Sequence, residues 1–184
     1  MVSDQLVINN SVVRLMLGDI TELAVDAFVY YARHDLLLGS GFGGAIAVRG
    51  GPKISDELKT LGPLETTGVT ATTAGNLKAK YIIHAVGPRF QEADLEHKLR
   101  ETVHNGLRLA EEMKIVSIAF PAMGVGFYAI SLEACAKNMF KAIGEFLGGD
   151  TSIGEVIICL NDLREYKPFQ KQLRVLADGK EVTA

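Results

Sequence analysis

Short apolar runs alternate along this chain with longer stretches of helical periodicity, and that alternation limits the fold more than any single residue does. The runs at 12–17 and 27–31 are rich in β-branched or aromatic residues, and those at 81–86, 117–121 and 155–160 are almost continuously apolar. Continuous apolar runs suit strands covered on both faces, as parallel strands are. The Thr- and Val-dense run at 66–73 predicts a more exposed strand. Short helices are predicted over 43–49 and 53–61. Over 95–113, Leu95, Leu99, Val103, Leu107 and Ala110 make one stripe, with Glu96, Arg100 and Arg108 away from it. Ser131 is placed to N-cap a helix that runs to Leu147, where Gly148 and Gly149 end it. A last helix is predicted over 165–176, with a frayed tail at 178–184. The pattern reads as a mainly parallel α/β sheet sandwiched by helices. In such folds ligands bind at the carboxyl ends of the strands, so the loops that follow strands are where chemistry is expected.

Composition narrows the classes. With 184 residues, 48% of them apolar and 22% charged, the chain can bury a sizeable core as one domain. No repeat or low-complexity linker divides it, so a single domain over 1–184 is expected, its core at about 12–176. A net charge of −3 leaves no basic excess for non-specific nucleic-acid binding. The first residues lack the basic and apolar segments of an export signal, and the weakly polar stretch 115–130 is interrupted by Pro and Gly and too short to cross a bilayer. Cys135 and Cys159 lie in apolar segments without metal-ligand spacing, so reduced thiols and a cytoplasmic setting are expected. His97, Glu101 and His104 share a helical face, which reads as solvated rather than metal-binding because no further ligand accompanies them. No metal and no cofactor is expected.

The most informative loop is 36–46, where Gly39, Gly41, Gly43 and Gly44 lead directly into a helix. Such a loop lets backbone N–H groups approach a phosphate at the positive end of the helix dipole. It also suits a turn with close helix–sheet packing, and glycines alone do not decide between the two. Gly39, Gly41 and Gly44 match the spacing of the dinucleotide fingerprint, but residues 32–38 separate them from the preceding strand, residues 71–74 offer no acid, and Glu65 lies in a Gly/Pro-flanked loop. A Rossmann domain is disfavoured. A second glycine loop, 122–128, follows the strand at 117–121 and offers further backbone amides to the same crevice, or simply a β-to-α connection. Asp19, after the strand at 12–17, has the chemistry to accept a hydrogen bond from an exocyclic amine such as adenine's; the plainer reading is an N-cap for a turn through Leu23.

Taken together, Gly18-Asp19-Ile20-Thr21, Val25-Asp26-Ala27, the 39–46 loop, the 82–88 segment with His84, Gly87 and Pro88, and the 117–122 segment closely resemble macro domains, in order and spacing over about 12–176. The resemblance implies a three-layer α/β/α sandwich on a mixed, mainly parallel sheet that binds ADP-ribose or a related nucleotide, free or on an ADP-ribosylated protein. It implies that Asp19 and the Ile20 backbone receive adenine. Gly41, Phe42, Gly43 and Gly44 would wrap the diphosphate and distal ribose from one side, and Gly124, Val125, Gly126, Phe127 and Tyr128 would close over it from the other.

Several positions depart from the family pattern. Arg33 stands where macro domains typically carry the Asn that holds the distal ribose; a guanidinium donates five hydrogen bonds and accepts none, so it favours an added anion. Gly43 stands where the hydrolase members often have an acid, which leaves Asp35 and His34 as the substitute catalytic candidates. Asn161 stands where an aromatic often stacks on adenine. The expected function is ADP-ribose binding through two glycine loops without the usual hydrolysis. The alternatives are an ADP-ribosyl hydrolase with a substitute base, or a pocket retuned to another anion.

Overall fold

Side chains along each central strand alternate between two helical layers, and this period-two partition builds the molecule. The structure is a computed structural model that describes residues 4–125 and 130–181. Strands β1 (Gln5–Ile8), β2 (Ser11–Leu17), β3 (Ala27–Tyr31), β4 (Val69–Thr73), β5 (Tyr81–Ala85), β6 (Ser117–Phe120) and β7 (Glu155–Leu160) form one sheet in the order β1-β2-β7-β6-β3-β5-β4. The four inner pairings are parallel, and the two edge pairings, β1 with β2 and β4 with β5, are antiparallel. The expected mixed, mainly parallel sheet is therefore present.

Helices α1 (Phe42–Gly50) and α2 (Pro52–Leu61) cover one face, and α3 (Leu95–Glu112), α4 (Leu132–Leu147) and α5 (Leu163–Glu181) the other. In β7, Val156, Ile158 and Leu160 point to the three-helix face while Ile157 and Cys159 point to the two-helix face; β3 divides Ala27 and Val29 from Phe28 and Tyr30 in the same way. Of the α3 stripe, Leu99, Val103, Leu107 and Ala110 are fully buried, while Leu95 at its start is partly exposed. Ser131 caps α4 by accepting the Ala134 N–H at 3.1 Å, as its position predicts.

The structure differs from the sequence reading at the edges. Strand β1 was not anticipated, because its four residues pair with β2 at the sheet margin and carry an exposed face. The predicted strand at 66–73 begins only at Val69, since Thr67 adopts a left-handed φ of 72° that cannot join a ladder. The predicted last helix starts earlier and ends later, and α5 extends through Glu181 where fraying from 178 was expected. Pro168 lies inside α5 and removes one backbone N–H from it.

Candidate functional site

The carboxyl ends of β2, β7, β6 and β3 open on one cleft of about 440 Å³, at the point where sequence order along the sheet is broken. Residues just beyond those strand ends line it: Asp19 and Ile20 after β2, Asn161 after β7, Pro121 and Ala122 after β6, and Tyr31 at the end of β3. Gly41, Phe42 and Ala45 contribute the start of α1, and Val125 the second glycine loop. A larger hollow of about 760 Å³ lies between the start of α3 and that of α4, but it is away from the strand ends and carries neither glycine loop.

The first glycine loop works through its backbone. Gly41 is the N-cap of α1 with φ 60°, no side chain caps the helix, and no acid occupies its first turn. The Ala45 N–H closes the first helical bond onto the Gly41 carbonyl at 3.0 Å, so the preceding N–H groups carry the positive end of α1 into the cleft. Gly43 lies behind this surface: a Cβ there would fall 1.6 Å from the Leu38 carbonyl oxygen and 2.4 Å from the Tyr30 hydroxyl. At Gly44 a Cβ would be 3.4 Å from the Gly39 carbonyl oxygen. Phe42 is anchored edge-on to Tyr30, centroids 5.2 Å apart, and is stacked near Phe28.

At the β2 end, Asp19 caps the short turn Ile20–Glu22. Its Oδ1 accepts the Thr21 N–H at 2.9 Å and the Thr21 hydroxyl at 2.6 Å, and its Oδ2 pairs with the Arg49 guanidinium. The Thr21 bonds and Arg49 together hold the Asp19 carboxyl below its ordinary pKa despite partial burial. Asp19 stays half-exposed, so its charge is presented to the cleft as well as to its partners. Across from it, Glu165 is buried; its Oε2 accepts the Asn161 N–H at 2.9 Å and its own N–H donates to Asp162 at 3.0 Å. Sequence reasoning missed Glu165 as a lining residue, although Asp162-x-x-Glu165 is a recognisable capping pattern. Cys159 also lines the cleft, its thiol pushed up to about 11 by burial and by the nearby Asp19 charge.

The remaining candidates gather elsewhere. Arg33 and His34 line a neighbouring chamber of about 340 Å³ with Ala32, Gly87, Arg89 and Phe90. Arg33 grips Asp35 bidentately, at 3.1 and 2.7 Å, and this pairing holds the Asp35 carboxyl below its ordinary range. Asp35 faces a small hollow against α2 rather than the main cleft. Gly124, in the second loop, takes φ 73° and packs on Tyr31 and Ile130. The candidates Gly126, Phe127 and Tyr128 lie outside the described residues. Among the described residues no cluster of His, Cys, Asp or Glu is arranged to hold a metal ion, and no helix is long and apolar enough to cross a membrane.

Similarities to known proteins agree with this geometry. The Macro domain family profile matches residues 31–139. A macro domain-containing protein of Caldanaerobacter subterraneus is 37% identical over 165 residues, covering 86% of this chain and 94% of its own. The Oceanobacillus iheyensis macrodomain solved with ADP superposes with a TM-score of 0.91 at 28% identity, covering 95% of this chain and 96% of that one. The Trypanosoma brucei macrodomain in complex with ADP-ribose gives 0.81 at 28% identity, over 88% of this chain and 68% of that one. With its sheet order, its strand-end cleft and these similarities in agreement, this chain belongs to the macro domain family.

Proposed function

We propose that the strand-end cleft binds ADP-ribose or a closely related nucleotide diphosphate, and that the chain acts as a binding module rather than by the usual hydrolase chemistry. The observation that carries the reading is the uncapped start of α1, opening through Gly41 and Phe42 into the same cleft as Asp19 and Ile20. Anions are stabilised at helix N-termini, and a carboxylate suits an exocyclic amine, so one ligand with a base and a diphosphate satisfies both ends. The solved relatives whose titles name ADP and ADP-ribose support that ligand class. In this reading Asp19 and Ile20 take the base, and Gly41 through Gly44 with Gly124, Val125, Gly126, Phe127 and Tyr128 take the diphosphate. Asn161 borders the base, and Arg33 lies beyond the distal sugar. An ADP-ribosylated protein is the natural carrier of such a ligand.

Two features favour binding over hydrolysis. Gly43 has no room for an acidic side chain, and Asp35 is tied to Arg33 with its basicity reduced. A general base must come within hydrogen-bond reach of its water, and Asp35 faces another hollow. Calorimetric titration with ADP-ribose tests the reading, followed by incubation of an ADP-ribosylated protein with the same sample. The expected result is saturable binding, no release of ADP-ribose, and at least tenfold weaker binding by Asp19→Ala with ribose 5-phosphate binding unchanged. Release of ADP-ribose that is lost in Asp35→Asn or His34→Ala establishes the hydrolase alternative. Absence of ADP-ribose binding points to a pocket retuned to a different anion, for which the neighbouring chamber lined by Arg33 and Arg89 is the place to look.

A further inference from the structure

The carboxylate of Asp19 is held by both of its oxygens. Oδ1 accepts the Thr21 N–H at 2.9 Å and the Thr21 hydroxyl at 2.6 Å, and Oδ2 accepts from the Arg49 guanidinium. The same guanidinium nitrogen donates to the Thr21 hydroxyl oxygen, so the three side chains close a ring of hydrogen bonds. Thr21 is buried and fixes one corner of that ring. Arg49 fixes another from the last turn of α1, where a cation also suits the helix dipole. Glu22, the other carboxylate near Arg49, lies 3.7 Å from it and is bonded to Lys78 at 2.9 Å, so Asp19 is the closer partner of the guanidinium.

An ionised carboxylate accepts about four hydrogen bonds, two on each oxygen. The Thr21 bonds fill Oδ1 and Arg49 takes one place on Oδ2, which leaves one place on Oδ2 open. Asp19 lines the strand-end cleft and Arg49 does not, so Arg49 acts on a ligand only through Asp19. Both members of the pair are half-exposed, and such pairs add little to stability. What the pair contributes is the orientation of the acceptor. Resting on the ligand-binding reading above, we propose that Arg49 is the positioning residue for base selection: it fixes Asp19 as a single charged acceptor and so selects a base with an exocyclic amine over one with a carbonyl at the same position. An amine N–H donates to that acceptor in a charge-assisted bond, whereas a carbonyl oxygen sets its lone pairs against it. A site built to receive a hydrogen bond discriminates strongly against an analogue that lacks the donor.

The test compares ADP with inosine 5′-diphosphate, which carries a carbonyl where ADP carries its amine. Binding of each is measured calorimetrically for the wild type, Arg49→Ala, Arg49→Lys and Asp19→Ala, with thermal melts to confirm folding. The expected result is a wild-type preference for ADP of at least tenfold. Arg49→Ala weakens ADP binding at least fivefold and changes binding of the inosine nucleotide less than twofold, so its preference falls toward that of Asp19→Ala. Arg49→Lys, which keeps a cationic donor, recovers most of the preference. Equal weakening of both nucleotides by Arg49→Ala assigns Arg49 a structural role only and overturns the inference. An unchanged preference overturns it too, and so does tighter ADP binding by Arg49→Ala, which would make Arg49 a competitor of the base. A Lys variant as impaired as Ala has the same consequence. A wild type that binds the two nucleotides equally overturns the inference while leaving the nucleotide cleft standing. A wild type that binds neither of them, nor ADP-ribose, overturns both readings.

Discussion

Glycines that look alike in sequence do different work at the level of single residues. Gly41 is needed for its backbone, with φ 60° and no atom within 4 Å of a would-be Cβ. Gly43 is needed because the Leu38 carbonyl oxygen occupies the place of its side chain. Gly43→Ala is therefore expected to cost more than about 2 kcal/mol through displacement of the loop from α1, whereas Gly44→Ala changes stability by less than about 1 kcal/mol. Melting temperatures of the two variants check this, and equal shifts would remove the distinction. Asp19 offered two readings in sequence, a cap and an amine acceptor. Its bonds to Thr21 show the cap directly, while the amine is left to the ligand experiment. Arg33 reads in sequence as a partner for an added anion and Asp35 as a substitute base; in the structure the two pair with each other bidentately. Nothing in spacing alone distinguishes those outcomes.

Between elements, the central strands and most helices were legible because their apolar periodicity is set by which faces are buried. The contacts that lock helices together were not. Asn138 on α4 is buried within an apolar stripe, donates to Glu96 of α3 at 2.9 Å and to the Ala134 carbonyl at 2.7 Å, and accepts from Arg100 of α3. Sequence placed Glu96 and Arg100 off the buried stripe, and the structure shows that they reach across to the neighbouring helix. Asn138→Ala removes the shared partner and leaves two charged groups at the helix interface without it. The expected cost is about 1–3 kcal/mol, read by chemical denaturation at unchanged m-value. A loss below about 0.5 kcal/mol would show that Glu96 and Arg100 re-pair without cost. Strand β1 escaped notice for a related reason, since an edge strand with one wet face carries a weak signal.

At the scale of the whole molecule, a buried histidine links packing to pH. His84 lies fully buried on β5; its Nε2 meets the Thr72 hydroxyl at 2.9 Å, and its Nδ1 has no hydrogen-bond partner among the described residues. Burial pulls its pKa down to about 4, with the Glu57 charge opposing. The folded state thus keeps His84 neutral, while the unfolded chain protonates near pH 6.5. Its contribution is complete above that value and is lost as pH falls from about 6.5 toward 4, which predicts a loss of about 2 kcal/mol between pH 7.5 and 5. Urea unfolding at the two pH values measures it, and His84→Gln is expected to flatten that dependence; an equally steep variant would assign it to other groups. The amino-acid sequence by itself determined the layered α/β architecture, the strands that carry the cleft and the loops that border it, because hydrophobic periodicity and glycine placement are local properties. Only the tertiary structure decided which loop residues share a cavity, that Asn138 joins Glu96 and Arg100 across two helices, and that Tyr31 stands between Gly87 and Gly124. Those facts depend on strand order and on groups far apart in the chain, whose meeting no local pattern encodes.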